Sequence, residues 1–209
     1  MSSDPASAYP YKNAGEVHMH EILFPAVAAS IQRHAPNTVL DLGCGNGYLT
    51  NKLKHSFPGI SFAGLDPSET GIAEAKSAFP DAVFRQGSVY DEPPADWVGS
   101  FDMVISTEVV EHLYAPKAMP SFIRTVLKPS GIAVITTPYH GYLKNLALSV
   151  LDKWDSHHTV FWDHGHIKFW SRKTLTKLFE DESYTALHFK GIGRCPWLWM
   201  TMLMEFSKQ

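Results

Sequence analysis

The sequence predicts an α/β fold of three layers, in which a seven-stranded, mostly parallel sheet is covered by helices on both faces. Short apolar strand patterns alternate with helical patterns over residues 38–137, an order that is typical of a parallel sheet wrapped by helices. The tail departs from this alternation, because strand patterns at 184–191 and 197–206 follow each other through a turn at 193–196. Five predicted strands in residues 38–137 and two in the tail make up the seven strands of the sheet.

Two segments precede the sheet. Residues 1–13 are polar, contain prolines and show no periodicity, so we expect a loose arm. Residues 17–34 have the apolar spacing of a helix that would pack against the core. The chain has 209 residues, enough to bury one sizeable core. We therefore place the arm and its helix at 1–36 and the main domain at 37–209.

The elements of the main domain follow from short apolar runs, helical spacing and turn residues. The predicted strands before the tail are 38–42, 60–65, 82–85, 101–106 and 132–137. The predicted helices are 48–57, 69–79, 116–127, 142–151 and 171–181. Pro80 closes the second of these helices and Ser171 caps the last. A loop with Pro93 and Pro94 separates the third and fourth strands.

The most informative segment is the loop after the first strand. The strand carries Asp41 near its end, and glycines follow at 43, 45 and 47 before a helical pattern begins. Glycines let the backbone turn tightly and approach a ligand closely. The loop leads to a helix N-terminus at the carboxyl end of a parallel strand, where nucleoside-type cofactors bind. The dinucleotide fingerprint requires a third glycine where Tyr48 stands, which disfavours a pyrophosphate cradle.

Residues 41–47, D-L-G-C-G-N-G, resemble motif I of the class I S-adenosylmethionine (SAM) methyltransferases. The resemblance covers residues 37–206 and implies a Rossmann-like fold whose tail is an antiparallel hairpin. It also implies SAM as the cofactor, with the glycine loop wrapped around its amino-acid part. The cofactor-binding residues expected on this basis are Asp41, Gly43, Cys44, Gly45, Asn46, Gly47, Asp66, Pro67, Ser88, Val89 and Thr107.

Asp66 ends the second strand about 20 residues past the glycine loop, where a carboxylate can accept both ribose hydroxyl hydrogen bonds. The alternative is that Asp66 only caps the helix that starts near Ser68. The resemblance assigns Asp66 to the ribose and the end of the third strand, at Ser88, to the adenine. Many members of the family carry an acid where Ser88 stands.

A second group of polar residues, Glu108, Glu111 and His112, follows the fourth strand. In a helical turn these residues would lie on one face, since positions i, i+3 and i+4 are neighbours. Two carboxylates and an imidazole suit a divalent cation such as Mg²⁺. The alternative is that Glu108 touches the cofactor, Glu111 caps the next helix and His112 is a satisfied, partly buried residue.

The E-x-x-E-H pattern at 108–112 resembles two metal-dependent groups, the ubiquinone-pathway O-methyltransferases and the small-RNA 2′-O-methyltransferases. By resemblance to the RNA group, His166 completes a metal site of Glu108, Glu111, His112 and His166, with His164 as a back-up ligand. A metal would lower the pKa of an acceptor oxygen. Without one, His166 or His112 would act as general base. The candidate catalytic residues are therefore His166, His112 and Glu108.

Residues 139–166 form an insertion between the fifth strand and the last helix, and we expect it to be a lid over the substrate. It contains His140, His157 and His158, of which the last two are expected on the surface or in the lid. Aromatic residues in this insertion either wall a hydrophobic acceptor site or belong to core and lid packing.

The composition limits the kinds of binding partner that we expect for this chain. The net charge is −3 and the basic residues are scattered, which disfavours nucleic acid. No apolar run is long enough to span a bilayer. Two distant cysteines form no disulfide framework, so we expect a cytoplasmic location. A small-molecule substrate is expected as the partner, and a homodimer is left open.

These observations predict a SAM-dependent O-methyltransferase that acts on a small phenol, catechol or other hydroxyl compound. RNA 2′-O-methylation is the first alternative, because the same metal pattern occurs there. A SAM-binding regulator without catalysis is the second, since a fold does not guarantee an activity.

Overall fold

The structure is a computed structural model that describes residues 13–16, 18–158, 161, 163 and 165–209. The predicted arm, apart from its last residue, lies outside the described residues, and so does His164. None of the helices in the described ranges is long and apolar enough to cross a membrane.

One seven-stranded sheet organises the chain. Its strands are β1 (Thr38–Leu42), β2 (Ser61–Asp66), β3 (Val83–Gln86), β4 (Phe101–Thr107), β5 (Leu127–Pro138), β6 (Tyr184–Ile192) and β7 (Thr201–Lys208). They lie in the order β3-β2-β1-β4-β5-β7-β6. The first five are parallel, and β7 runs antiparallel to both β5 and β6. The predicted mostly parallel sheet with a C-terminal antiparallel hairpin is confirmed.

The helices of the described residues are α1 (His18–His34), α2 (Tyr48–Ser56), α3 (Glu69–Ala78), α4 (Ala118–Val126), α5 (Tyr142–Val150), α6 (Trp154–His158) and α7 (Arg172–Glu180). Two 3₁₀ turns occupy Ala95–Trp97 and Val110–His112. The short helix α6 was not predicted, because five residues carry too little periodicity to separate a helix from a loop.

Buried apolar clusters cover both faces of the sheet. Alternate residues of a strand point to opposite faces, and Leu40 belongs to one buried cluster whereas its neighbour Val39 belongs to another. The first cluster includes Phe122 of α4 and Phe179 of α7, and the second includes Val27 of α1. The helices on each face are therefore held by the same strands, which makes the carboxyl ends of these strands a rigid edge.

The helix α1 is also held to the sheet by a polar contact. Glu205 of β7 is fully buried and accepts hydrogen bonds from Ser30 Oγ at 2.6 Å, from Arg33, and from His34 Nε2 at 2.8 Å. Burial alone would raise the pKa of Glu205, but these donors hold it below its ordinary value. The anchor matters for the site, because the first turns of α1 reach the cavity described below.

The start of the last strand differs from the prediction. The prediction of a strand from Trp197 is wrong, because Trp197 has φ 63 and the strand begins at Thr201. Gly193 and Arg194 also have left-handed backbone, with φ 72 and φ 54, and they lie in the turn that was predicted at 193–196. Trp199 packs in this connection against the rings of Tyr139 and Phe189 instead of lying in the sheet.

Candidate active site

A cavity of about 570 Å³ opens at the carboxyl ends of β1, β2 and β4. It is lined by the glycine loop, the ends of these strands, the first turns of α1 and the segment between β5 and α7. Gly47 and Glu111 are the predicted site residues that do not line it. The lining includes the other predicted cofactor residues, Asp41, Gly43, Cys44, Gly45, Asn46, Asp66, Pro67, Ser88, Val89 and Thr107.

The glycine loop has the backbone that only glycine adopts at little cost. Gly43, Gly45 and Gly47 have φ 85, φ 54 and φ 75. The N–H of Gly43 donates to the carbonyl oxygen of Leu65 at 2.7 Å, which ties the loop to β2. A Cβ on Gly43 would lie 2.3 Å from Cγ2 of Val109. The close packing of Val109 against the loop therefore also favours glycine at position 43.

The Gly43→Ala variant should therefore be less stable by about 1–3 kcal/mol, from left-handed strain and overpacking together. A urea unfolding curve measures this change. Gly59→Ala is the matched control, since a Cβ there meets nothing within 4 Å and its φ is not positive. Equal midpoints for the two variants would contradict the prediction.

Asp66 holds the loop at the end of β2. Its Oδ2 accepts the N–H of Gly45 at 2.8 Å, and its Oδ1 accepts the N–H of Ser68 at 2.8 Å. The N-cap of α3 is Ser68, whose Oγ accepts the N–H of Gly71 at 3.1 Å. The capping role proposed as the alternative for Asp66 thus belongs to Ser68, and the Asp66 carboxylate lines the cavity.

Asp41 is a buried carboxylate on the floor of the loop. Its Oδ2 accepts a hydrogen bond from Thr50 Oγ1 at 2.6 Å, while its Oδ1 has no hydrogen-bond partner among the described residues. Burial raises the pKa of Asp41 to about 7, the Thr50 bond opposes this, and the charge of Asp66 adds to it. Asp41 and Asp66 both line the cavity, and two carboxylates at one cavity favour a cationic ligand.

The segment after β4 is not the helical turn considered from the sequence. Glu108 has φ 55, and a 3₁₀ turn over Val110–His112 follows. The Oε1 of Glu108 accepts hydrogen bonds from Thr136 Oγ1 at 2.9 Å and Thr201 Oγ1 at 2.8 Å. The left-handed residue turns this side chain towards β5 and β7, and the expected shared helical face is not formed.

Glu111 is 1% exposed and lies behind the cavity wall. Its Oε2 accepts a hydrogen bond from Thr137 Oγ1 at 3.0 Å, and its Oε1 has no hydrogen-bond partner among the described residues. It does not cap the next helix, as the alternative held, because the cap position of α4 is Lys117. Burial raises the pKa of Glu111 well above its ordinary value, and the charge of Glu108 raises it further.

The chain between β5 and α7 brings His166 to this turn. The N–H groups of Ile167 and Lys168 donate to the carbonyl oxygen of Glu111 at 3.0 Å and 2.9 Å. His166 Nε2 then lies 4.0 Å from Glu111 Oε1, and the rings of His112 and His166 are 5.0 Å apart. Burial lowers the pKa of His166 to about 4, and His112 adds to the effect, so the imidazole is neutral at pH 7.

Three of the four predicted metal ligands come together. One ligand atom from each of Glu111, His112 and His166 lies within 4.8 Å of the other two. Glu108 is not in this group within the described part of the chain. The donor set fits a divalent cation, and so does Glu111 Oε1, which accepts no hydrogen bond from the described residues. One carboxylate and two imidazoles favour a transition metal over Mg²⁺, which prefers oxygen ligands.

Several cavity residues were missed from the sequence. Lys144 of α5, Arg194 of the β6–β7 connection and His20 of α1 line the cavity, and no local pattern marks them. His157 and His158 were expected on the surface or in the lid, and they line the cavity together with His140. Their positions depend on how the β5–α7 segment folds back, which sequence periodicity does not determine.

Comparisons with known proteins agree with this geometry. A family model described as a methyltransferase domain matches residues 18–188. The ubiquinone biosynthesis O-methyltransferase of Bradyrhizobium diazoefficiens is 29% identical over 167 residues, 76% of this chain and 62% of that protein. The trans-aconitate 2-methyltransferase of Acidovorax sp. strain JS42 is 30% identical over 118 residues, 54% of this chain and 44% of that protein.

A solved structure is similar in fold. The magnesium protoporphyrin IX methyltransferase of Synechocystis PCC 6803, solved with bound S-adenosylhomocysteine (SAH), superposes with a TM-score of 0.67 at 16% identity, covering 92% of this chain and 90% of that one. The chain matches only 44% and 62% of the length of the two curated relatives. Since the family model covers most of the chain, the chain belongs to the class I SAM-dependent methyltransferase domain family.

Proposed function

We propose that this chain transfers the methyl group of SAM to the hydroxyl oxygen of a small molecule of phenol or catechol type. The observation that carries the proposal is the meeting of Glu111, His112 and His166 beside the cavity of the glycine loop. A hydroxyl group must lose its proton to attack a methyl carbon, whereas an amine or a thiol needs less help. Acid–base and metal-ligating groups at this position therefore favour an oxygen nucleophile.

The glycine loop and two carboxylates support the binding of SAM, whose sulfonium supplies an activated methyl group. Asp66 is held by the N–H groups of Gly45 and Ser68 with its carboxylate at the cavity, where it would accept the hydrogen bonds of the ribose hydroxyls. Asp41, whose Oδ1 accepts no hydrogen bond from the described residues, suits the ammonium of the amino-acid part. Gly43 allows the close approach of this part to the backbone. The adenine contact at Ser88 and Val89 stays a prediction.

The role of Asp41 predicts a pH dependence. The ammonium of SAH selects the ionised carboxylate, whose pKa burial raises to about 7, so protons compete with the ligand below that pH. The affinity for SAH should rise about tenfold from pH 6 to pH 8 and then level off. Calorimetric titration at several pH values measures this slope. The Asp41→Asn variant should bind more weakly with no such slope, and a flat wild-type profile would overturn the assignment.

The residues Glu111, His112 and His166 would hold the divalent cation, and a bound cation would lower the pKa of the acceptor hydroxyl. Besides the metal-binding residues, the chain contributes a carboxylate that can accept a proton. Glu108 lines the cavity, burial raises its pKa to about 7, and bonds from Thr201 and Thr136 moderate this rise. A carboxylate with this pKa is matched to proton removal near neutral pH. Without a cation, His166 would be a weaker base than Glu108, because burial lowers its pKa to about 4, and its neutral ring would position the acceptor by hydrogen bonding.

A small acceptor fits the cavity and the charge. The volume of about 570 Å³ lies in the range of single small-ligand sites. The net charge of −3 disfavours RNA as the substrate, because RNA binding usually requires an excess of basic residues. One of the relatives is an O-methyltransferase by name. The free cysteines Cys44 and Cys195 agree with a reducing cytoplasm. The homodimer stays a prediction that sedimentation can test.

The test is methyl transfer from labelled SAM to a mixed panel of catechols, phenols and a short RNA, with and without a chelator. We expect transfer to a small hydroxyl compound, lost with chelator and restored by Mn²⁺, Co²⁺ or Zn²⁺ more than by Mg²⁺. Methyl transfer that is unchanged by the chelator would assign proton removal to Glu108 or a histidine. Transfer to RNA alone, sensitive to salt, would replace the small-molecule proposal. A protein that binds SAM and methylates nothing would favour the regulator.

A further inference from the structure

A second group of histidines lies in the cavity, apart from the Glu111 group. His140 lies two residues beyond the end of β5, and His157 and His158 end the short helix α6. One ring nitrogen of each of these histidines lies within 4.8 Å of the other two. The segments that carry them meet only because the chain between β5 and α7 folds back on itself, with the N–H of His140 bonded to the carbonyl oxygen of Trp170 at 2.8 Å.

Two nitrogens of this group are buried without a partner. His140 is 6% exposed, and its Nδ1 has no hydrogen-bond partner of normal geometry among the described residues, although the Asn145 side chain lies close and donates to the carbonyl oxygen of His140. The buried Nε2 of His158 also has no hydrogen-bond partner among the described residues. An unpartnered buried polar atom costs about 1–3 kcal/mol, so two in one cluster call for an explanation. Since neutral imidazole nitrogens are good transition-metal ligands, a bound cation would satisfy both.

We propose that His140, His157 and His158 form a transition-metal site of the Zn²⁺ type that fastens α6 to the end of β5. An accessible zinc site has three protein ligands and a fourth coordination position that is open to solvent or ligand. The three imidazoles beside the cavity match this arrangement. The inference does not rest on the proposed function, since it concerns metal binding by another set of residues. Mg²⁺ is excluded as the occupant because it prefers oxygen ligands.

The surroundings of the group suit this role. The ring of Phe169 contacts both His140 and His158, at 5.0 Å and 4.8 Å between centroids, and sets their orientation. Burial lowers the pKa of His140 to about 3 and of His157 to about 4, so protons do not compete with a metal at neutral pH. Lys144 and Arg194 are cations of the cavity that oppose binding, and burial lowers the pKa of Lys144 to about 8, which weakens its share of the opposition.

The distances between the ring nitrogens indicate that metal binding would draw α6 towards the end of β5. Ligands of tetrahedral Zn²⁺ at about 2.0–2.1 Å lie roughly 3.3–3.4 Å from one another. The nitrogens here lie within 4.8 Å of one another, so a bound ion would draw the three rings together and tie α6 to the end of β5. We therefore expect the metal to reduce the opening of the segment that contains α6.

The test uses the full chain with the first group disabled by Glu111→Gln and His166→Ala. Titration with Co²⁺ should give one bound ion per chain with the visible absorption of tetrahedral cobalt, which Zn²⁺ displaces and excess Mg²⁺ does not. Addition of His157→Ala and His158→Ala should weaken binding more than 100-fold, since loss of an outer-shell partner alone costs roughly 10–100-fold. His55→Ala in the same background is the matched control, because His55 is exposed on α2.

A second measurement covers the structural effect. Zn²⁺ should slow tryptic cleavage after Lys153, which is exposed between α5 and α6, and should have no effect once His157 and His158 are replaced. A background variant that binds no Co²⁺, or that binds it equally well without His157 and His158, would overturn the inference. Neither outcome depends on methyl transfer, so a failure of the proposed function leaves this test intact.

Discussion

Replacement of Asp66 by alanine is expected to weaken SAH binding at least about 100-fold. Two hydrogen bonds to a carboxylate contribute about 1.5–3 kcal/mol each, and 1.4 kcal/mol corresponds to tenfold in Kd. The carboxylate is 8% exposed and is already held in place by the N–H groups of Gly45 and Ser68. The ligand therefore gains its bonds without ordering a mobile side chain. Calorimetric titration of SAH into the variant measures the loss.

The same substitution leaves two backbone N–H groups without acceptors, so the folded fraction must be measured beside the affinity. Asp66→Asn keeps one acceptor oxygen and should fold better than Asp66→Ala, yet it should also bind SAH weakly because one ribose bond is lost. Asp81→Ala removes an exposed carboxylate and is the matched control. A folded Asp66→Ala protein with wild-type affinity would show that Asp66 only supports the loop.

Replacement of Glu111 by glutamine is expected to abolish chelator-sensitive methyl transfer and, at the same time, to stabilise the metal-free protein. Glu111 is buried, and its pKa is raised by burial and by Glu108, so its ionised form is costly in the folded state. A neutral isostere that still accepts from Thr137 removes this cost. A gain of about 1 kcal/mol would raise the Tm by roughly 2–4 °C in a chain of this size.

The pH dependence of this gain has a definite sign. A carboxyl whose folded pKa is raised binds a proton more tightly when folded, so it destabilises the folded state progressively above its unfolded pKa. The advantage of Glu111→Gln in Tm should be absent below about pH 4 and should grow towards pH 8. Melting curves in chelator measure it, with the exposed Glu92→Gln as control. A variant that keeps chelator-sensitive transfer, or melts lower at pH 8, would contradict this role of Glu111.

Much of the fold was predictable because its signals are local. The strands of the parallel part are short apolar runs between helical patterns, and the observed β1 agrees with the prediction at both ends. The loop of Gly43, Gly45 and Gly47 was recognisable since left-handed backbone restricts the residue type. The boundary of β7 was mistaken because alternation of large residues at Trp197 and Trp199 also suits a packed connection.

The candidate metal group was predictable only in part. The residues Glu111, His112 and His166 were named from spacing and resemblance, and the structure brings their ligand atoms together. The separate position of Glu108 was not predictable, since it depends on φ 55 at that residue and on bonds from Thr136 and Thr201. These threonines lie on β5 and β7, far away in the sequence.

The sequence by itself determined the sheet, the glycine loop and the end of the sheet at which a ligand binds, because periodicity and glycine positions act over a few neighbouring residues. Only the tertiary structure decided which acids share the cavity and how their charges interact. The raised pKa of Asp41 follows from burial and from Asp66 on another strand. The group of His140, His157 and His158 likewise exists only because the β5–α7 segment folds back over the sheet, and no local pattern encodes that contact.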